Sequence, residues 1–125
     1  MSAQILIVDD SPFLRSSIRS SIEQHTDWQV CGEAENGQVA IEKTRELHPD
    51  LIILDLAMPI MNGLDAARHI AGFAPGVDIV LFTMHGSREL SNFAELIGIK
   101  QVLSKSSGGI DQLLSTVSVL LDQKH

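Results

Sequence analysis

The chain has 125 residues, 44% of them hydrophobic and 20% charged, a size and mixture that suit one folded domain with a single core and exclude a disordered segment. Sixteen acids against nine Lys and Arg give a formal net charge of −7, which repels phosphate backbones and anionic membranes and so argues against direct nucleic-acid binding. The single cysteine, Cys31, has no internal disulfide partner. The longest aliphatic runs, at 5–8 and 51–54, are too short for membrane insertion, and no basic leader precedes them. The expectation is one cytoplasmic domain over residues 1–125.

Along the chain, short apolar runs alternate with segments of helical character. The runs fall at 4–8, 28–32, 50–54, 77–82 and 99–103, far enough apart for a crossover helix between parallel strands. They are rich in Ile, Val and Leu and nearly continuous, the pattern of strands buried on both faces. After the first run, Ser11-Pro12 supplies an N-cap hydroxyl and a proline at the first helical position. Phe13, Leu14, Ile18 and Ile22 then form one stripe of that helix, with Arg15, Arg19 and Glu23 elsewhere. A second helix starts after Asn36-Gly37 and stops at His48-Pro49. Further helices are predicted over 64–71, 87–97 and 110–121. The fold class is α/β, a doubly wound parallel sheet.

Open sheets of this kind bind ligands outside the carboxyl ends of their strands. The first run ends in Asp9-Asp10, the third in Asp55 and the fourth in Thr83; Lys105 follows the fifth. Only the second run ends without a comparable group. With strand order 2-1-3-4-5, one common doubly wound order, these ends become neighbours in one crevice. Two unit charges 4 Å apart repel by about 4 kcal/mol at an effective dielectric near 20, so three clustered carboxylates call for a cation or for protonation. Oxygen ligands completed by water suit Mg²⁺, with Mn²⁺ as the alternative, and no Cys/His spacing fits zinc. A carboxylate nucleophile, a divalent cation, an ammonium and a hydroxyl together form a phosphoryl-transfer set. Asp55, at the central strand end, is the better nucleophile candidate, leaving Asp9 and Asp10 to hold metal directly or through water.

At the motif Leu54-Asp55-Leu56-Ala57-Met58-Pro59-Ile60-Met61-Asn62-Gly63, preceded by Ile5-Leu6-Ile7-Val8-Asp9-Asp10 and followed by Thr83 and Lys105, the chain resembles the receiver domain of two-component response regulators, stand-alone and chemotaxis-receiver-like. The likeness runs from residue 4 to about 121. It implies a flavodoxin-like sheet of five parallel strands with five helices. It also implies that Asp55 accepts a phosphoryl group from a histidine kinase or histidine phosphotransfer protein, forming an aspartyl phosphate that slowly hydrolyses itself. Asp10 and Asp55 would contact Mg²⁺, Asp9 would hold a metal-bound water, and the Ala57 carbonyl would supply a backbone ligand. Lys105 would pair with the phosphoryl group, and the Thr83 hydroxyl would move toward it. Output would be contact with a downstream protein, through a surface formed by the fourth helix, fifth strand and fifth helix.

The chain departs from the family pattern in three respects. Val102 stands where an aromatic switch residue is usual, so the output movement must differ or be transmitted by packing alone. Ser106 stands where proline commonly follows the lysine. Ala57 and His85 occupy positions where family members tune dephosphorylation.

Singly, these residues have plainer readings: Asp9 and Asp10 as helix-start acids, Thr83 as a strand-end hydroxyl, Lys105 as a surface charge. Their joint spacing reverses that judgement. Met58, Met61, Trp28, Phe93 and Cys31 read as packing groups, and Gly63 as a close backbone approach. The alternative function is a small Mg²⁺-dependent phosphohydrolase with an Asp nucleophile, which lacks both a D-x-D-x-T motif and spare chain for a substrate cap. A nucleotide or flavin binder ranks last, since no glycine-rich phosphate loop follows the first run.

Overall fold

A computed structural model describes residues 2–84, 86–106 and 108–124. Among these, β1 (Gln4–Val8), β2 (Gln29–Ala34), β3 (Leu51–Leu54), β4 (Asp78–Thr83) and β5 (Gln101–Ser104) form one parallel sheet in the order β2-β1-β3-β4-β5. Helices α1 (Pro12–His25), α2 (Gly37–Leu47), α3 (Gly63–Phe73), α4 (Arg88–Leu96) and α5 (Gly109–Lys124) connect and cover it. This is the doubly wound sheet that the alternating runs predict, in the flavodoxin-like form that the family resemblance implies.

Helix starts follow from side-chain oxygens that accept otherwise unpaired backbone N–H groups. Ser11 Oγ accepts from Leu14 N at 3.2 Å, Asn36 Oδ1 from Val39 N at 2.9 Å, Asn62 Oδ1 from Asp65 N at 2.9 Å and Ser87 Oγ from Leu90 N at 3.0 Å. Each such cap stabilises its helix by about 1 kcal/mol. His48 ends α2 in the left-handed region at φ 51°, where Pro49 forbids continuation.

Strand alternation sorts the core into two layers. Leu6, Val8, Ile52, Leu54, Ile79 and Leu81 pack with Ala40, Ile41, Ala67, Ile70 and Ala94 from α2, α3 and α4. Ile5, Ile7, Leu51, Ile53, Val80 and Phe82 face Ile18, Ile22, Leu113, Val117 and Leu121 from α1 and α5. Fully burying each large aliphatic group contributes about 1.5–3 kcal/mol, and the result is a rigid platform with loops at one rim.

Two expectations need correction. Burial on both faces holds for β1, β3 and β4, but the edge strands β2 and β5 are only partly covered. The fifth strand begins at Gln101 rather than 99, because Ile99 N and Gly98 N are spent on the Ala94 and Glu95 carbonyls that close α4, with Gly98 at φ 94°. Sheet pairing begins only at Lys100 N, which donates to Ile79 O at 2.8 Å.

Candidate active site at the carboxyl rim of the sheet

The rim inherits its residues directly from strand order. Since β1, β3, β4 and β5 are consecutive neighbours, Asp9, Asp55, Thr83 and Lys105 arrive at adjacent strand ends. Asp9 N extends the sheet by donating to Ala34 O at 3.0 Å, Asp55 N donates to Val8 O at 2.9 Å, and Lys105 N donates to Thr83 O at 2.9 Å. Backbone pairing therefore carries Asp9, Asp55 and Lys105 one step past their strands, while Thr83 is the last residue of β4.

Asp9, Asp55 and Thr83 are buried and Lys105 is mostly covered, whereas Asp10 is exposed. One carboxylate oxygen from each of Asp9, Asp10 and Asp55 can be chosen so that all three lie within 4.8 Å of one another. Lys105 Nζ donates to Asp9 Oδ2 at 2.8 Å and lies 3.4 Å from Asp55 Oδ1. Asp9 Oδ1 accepts from Ser11 N at 2.9 Å, and Asp55 Oδ1 from Leu56 N at 2.8 Å. Burial, and after it the charge of Asp9, push the Asp55 carboxyl above the usual carboxylate range. Lys105 and the Leu56 N–H pull it back without cancelling the effect. One ammonium thus faces a cluster of three acids. The remaining negative charge and the all-oxygen donors fit a hard divalent cation such as Mg²⁺.

The loop after β3 is pinned by close approaches. A Cβ on Gly63 would collide with the Asp55 carbonyl oxygen, so glycine is required where Gly63 N donates to Leu56 O at 2.8 Å. Gly37 N, at the start of α2, donates to Met61 O at 3.0 Å, and a Cβ there would meet that oxygen at 2.6 Å. Met58 and Met61 are half-buried and pack against the layer under α2–α4, the packing role expected of them. Ile60 sits at φ 69° between Pro59 O and Met61 N, which bond at 2.7 Å, and its side chain is 82% exposed. Ala57 is exposed in the same loop.

The other expected positions divide. Val102 is half-buried and packs against the same apolar layer as Leu90 and Ile97; Ser106 N donates to Ser104 Oγ at 3.2 Å. Trp28 packs against the α1/α5 layer, but Phe93 is exposed rather than packed away. Cys31 is half-buried rather than fully buried. His85 lies outside the described residues.

Two residues with no assigned role on sequence grounds belong to the rim. Arg15, on α1, donates from Nη1 to the Asp9 carbonyl at 2.6 Å, and its Nε binds Glu33 Oε1 at 2.9 Å. Glu33, near the end of β2, also accepts from Arg19 Nε at 2.8 Å. Strand two therefore does contribute: through the Ala34 carbonyl and Glu33. The available signal was the pairing of basic residues four apart with an acid at a strand end.

The geometry agrees with the comparisons to known proteins. A family model described as the response regulator receiver domain matches residues 5–118. The chemotaxis protein CheY of Halobacterium salinarum is 36% identical over 105 residues, covering 84% of this chain and 86% of that protein. Protein-glutamate methylesterase/protein-glutamine glutaminase 1 of Methanosarcina mazei is 42% identical over 105 residues, which cover 82% of this chain. The chain spans only 29% of that relative's length. Among solved structures, the response regulator domain of Thermotoga maritima CheB has a TM-score of 0.86 at 28% identity, covering 98% of this chain and 96% of that one. A LuxR-family two-component response regulator from Aurantimonas sp. has a TM-score of 0.92 at 31% identity, covering 98% and 87%. Sequence match, sheet order and the acidic rim agree: the chain belongs to the response regulator receiver domain family.

Proposed function

We propose that residues 1–125 act as a receiver domain whose switch is phosphorylation of Asp55 by a histidine kinase or a histidine phosphotransfer protein. The observation that carries this reading is the Lys105 ammonium set 2.8 Å from Asp9 and 3.4 Å from Asp55, inside a group of three acid residues. In the transfer, an Asp55 carboxylate oxygen attacks phosphorus, the phosphorus–nitrogen bond of the donor phosphohistidine breaks, and the imidazole leaves. Asp9, Asp10, Asp55 and the Ala57 carbonyl would hold Mg²⁺, with Asp9 acting through water. Bound there, Mg²⁺ supplies positive charge for the phosphoryl oxygens. Lys105 exchanges part of its carboxylate contact for the arriving phosphoryl oxygens, and the Thr83 hydroxyl turns toward them. In the separate dephosphorylation step water attacks phosphorus, the phosphorus–oxygen bond to Asp55 breaks, and inorganic phosphate departs.

Burial of Asp55 serves this chemistry twice. It excludes bulk water from the acyl phosphate, and it strengthens the electrostatic pull of Lys105. Activity in this reading is confined to the domain's own phosphorylation and dephosphorylation, and output is contact with a downstream protein. With Val102 in place of an aromatic side chain, the displacement of Thr83 passes to α4 through Val102, Leu90 and Ile97, which share one apolar layer. The proposed setting is the cytoplasm; among the described residues, no helix is long and apolar enough to cross a membrane.

Incubation with acetyl phosphate and Mg²⁺, followed by intact-protein mass measurement, tests this reading. One phosphoryl group is expected per chain, lost on chelation of the metal and absent from Asp55→Asn. Equal labelling of that variant refutes it.

A further inference from the structure

Asp9 is fixed on every side. Its N–H is held by Ala34 O, its Oδ1 by Ser11 N and its Oδ2 by Lys105 Nζ; its own carbonyl accepts from Arg15 Nη1 at 2.6 Å. Only the last of these bonds comes from a side chain outside the acidic group and its lysine. Arg15 is itself aimed: its Nε donates to Glu33 Oε1 at 2.9 Å, and Arg19 Nε grips the other oxygen of the same carboxylate at 2.8 Å. Burial opposes ionisation of Glu33, yet the hydrogen bonds from Arg19 and Arg15 outweigh it and hold this carboxyl below its usual range. The acid is therefore charged whenever the protein is near neutral pH.

The backbone has been adjusted to allow this contact. In the β1–β2 pairing Ile5 faces Val30, but Leu6 faces Gly32, so the register passes over Cys31. Beyond that bulge Glu33 pairs with Ile7, whose side chain belongs to the α1/α5 layer. An unbroken register would place Gly32 there and turn Glu33 away from α1. Bulges commonly re-aim a side chain beside an active site, and here the re-aimed group is the one that orients Arg15.

We infer that Arg15, oriented by Glu33, is a positioning residue of the cation site: it fixes the peptide joining Asp9 to Asp10 and so presets both carboxylates. Its charge is neutralised by Glu33, so it holds the backbone without repelling the cation. This inference rests on the proposed Mg²⁺ site, and groups that orient metal ligands typically change metal affinity by about 10–100-fold when removed.

The test is calorimetric titration of Mg²⁺ alone into the unphosphorylated full chain, at a temperature where circular dichroism shows each variant folded. Arg15→Met, which keeps an apolar stem but removes every donor, is expected to weaken Mg²⁺ binding about tenfold. Ile22→Val loosens the same helix in the core at its far end and is expected to leave Mg²⁺ affinity unchanged. Arg15→Lys retains the charge, but its single ammonium cannot reproduce the two-sided grip of a guanidinium, so intermediate affinity is expected; it is the variant to read if Arg15→Met does not fold. Unchanged affinity in Arg15→Met, or in Arg15→Lys where that is the variant read, overturns the inference while leaving the Mg²⁺ site intact. A loss in Ile22→Val matching that of the Arg15 variant also overturns it, by showing a general effect of helix loosening. Absence of Mg²⁺ binding by the unsubstituted chain overturns the metal-site reading itself, and the inference with it.

Discussion

Lys105 and Asp9, 96 positions apart in the chain, meet at 2.8 Å between Nζ and Oδ2, with both side chains largely withdrawn from water. This ion pair joins the first strand end to the last, although β1 and β5 are not neighbours in the sheet. Removing one member of a buried pair strands its partner. Lys105→Met is expected to destabilise the chain by about 2–4 kcal/mol at neutral pH. Urea unfolding with and without Mg²⁺ checks this: the cation should recover part of the loss in the variant, because it replaces the missing positive charge.

Asp55→Asn should act in the opposite direction. Burial and the neighbouring Asp9 raise the Asp55 carboxyl above the usual carboxylate range. The protonated group therefore favours the folded state more than the carboxylate does. That contribution is fully present below the unfolded value and is lost as pH rises through the folded one. The Asn variant should accordingly gain stability relative to the unsubstituted chain as pH climbs through this window. The gain should then level off. Unfolding measured across acid to neutral pH without metal gives the curve, and saturating Mg²⁺ should shrink or reverse the difference.

The glycine under the phosphoacceptor loop makes a steric prediction. Gly63→Ala drives a methyl group into the Asp55 carbonyl oxygen, and neither backbone can yield without moving the site. A loss of about 1–3 kcal/mol is expected, together with weaker Mg²⁺ binding, both measurable by thermal unfolding with and without the cation.

Ile60 predicts a gain. A β-branched residue at φ 69° is strained by about 1–2 kcal/mol, a conformation that Asn tolerates better. The side chain is 82% exposed, so little packing is lost on replacement. Ile60→Asn should raise stability by about 1 kcal/mol in equilibrium unfolding. An unchanged or lower value would mean that the exposed isoleucine makes contacts of its own.

What could be read from the sequence follows from which interactions are local. A continuous apolar run located β1 at 4–8, because a strand buried on both faces writes its environment into consecutive side chains. The caps Ser11 and Asn36 marked helix starts for the same local reason. Asp9, Asp55, Thr83 and Lys105 were legible as a set because parallel order converts strand ends into neighbours. Arg15 and Glu33 showed only as a basic pair four apart and an acid near a strand end; their meeting depends on the register shift at Cys31, which is not local. The start of β5 was misplaced because Ile99 is as apolar as a strand residue, while its N–H is committed to closing α4. Edge exposure of β2 and β5 likewise depends on sheet position rather than composition.

The most direct measurement is chemical trapping of the phosphorylated residue. After treatment with acetyl phosphate and Mg²⁺, borohydride reduction converts an aspartyl phosphate to homoserine, which peptide sequencing by mass spectrometry can locate. Homoserine at position 55, and at no other acid of the rim, is the predicted result. Homoserine at position 9 or 10, or none anywhere in a chain that has gained a phosphoryl group, would contradict it.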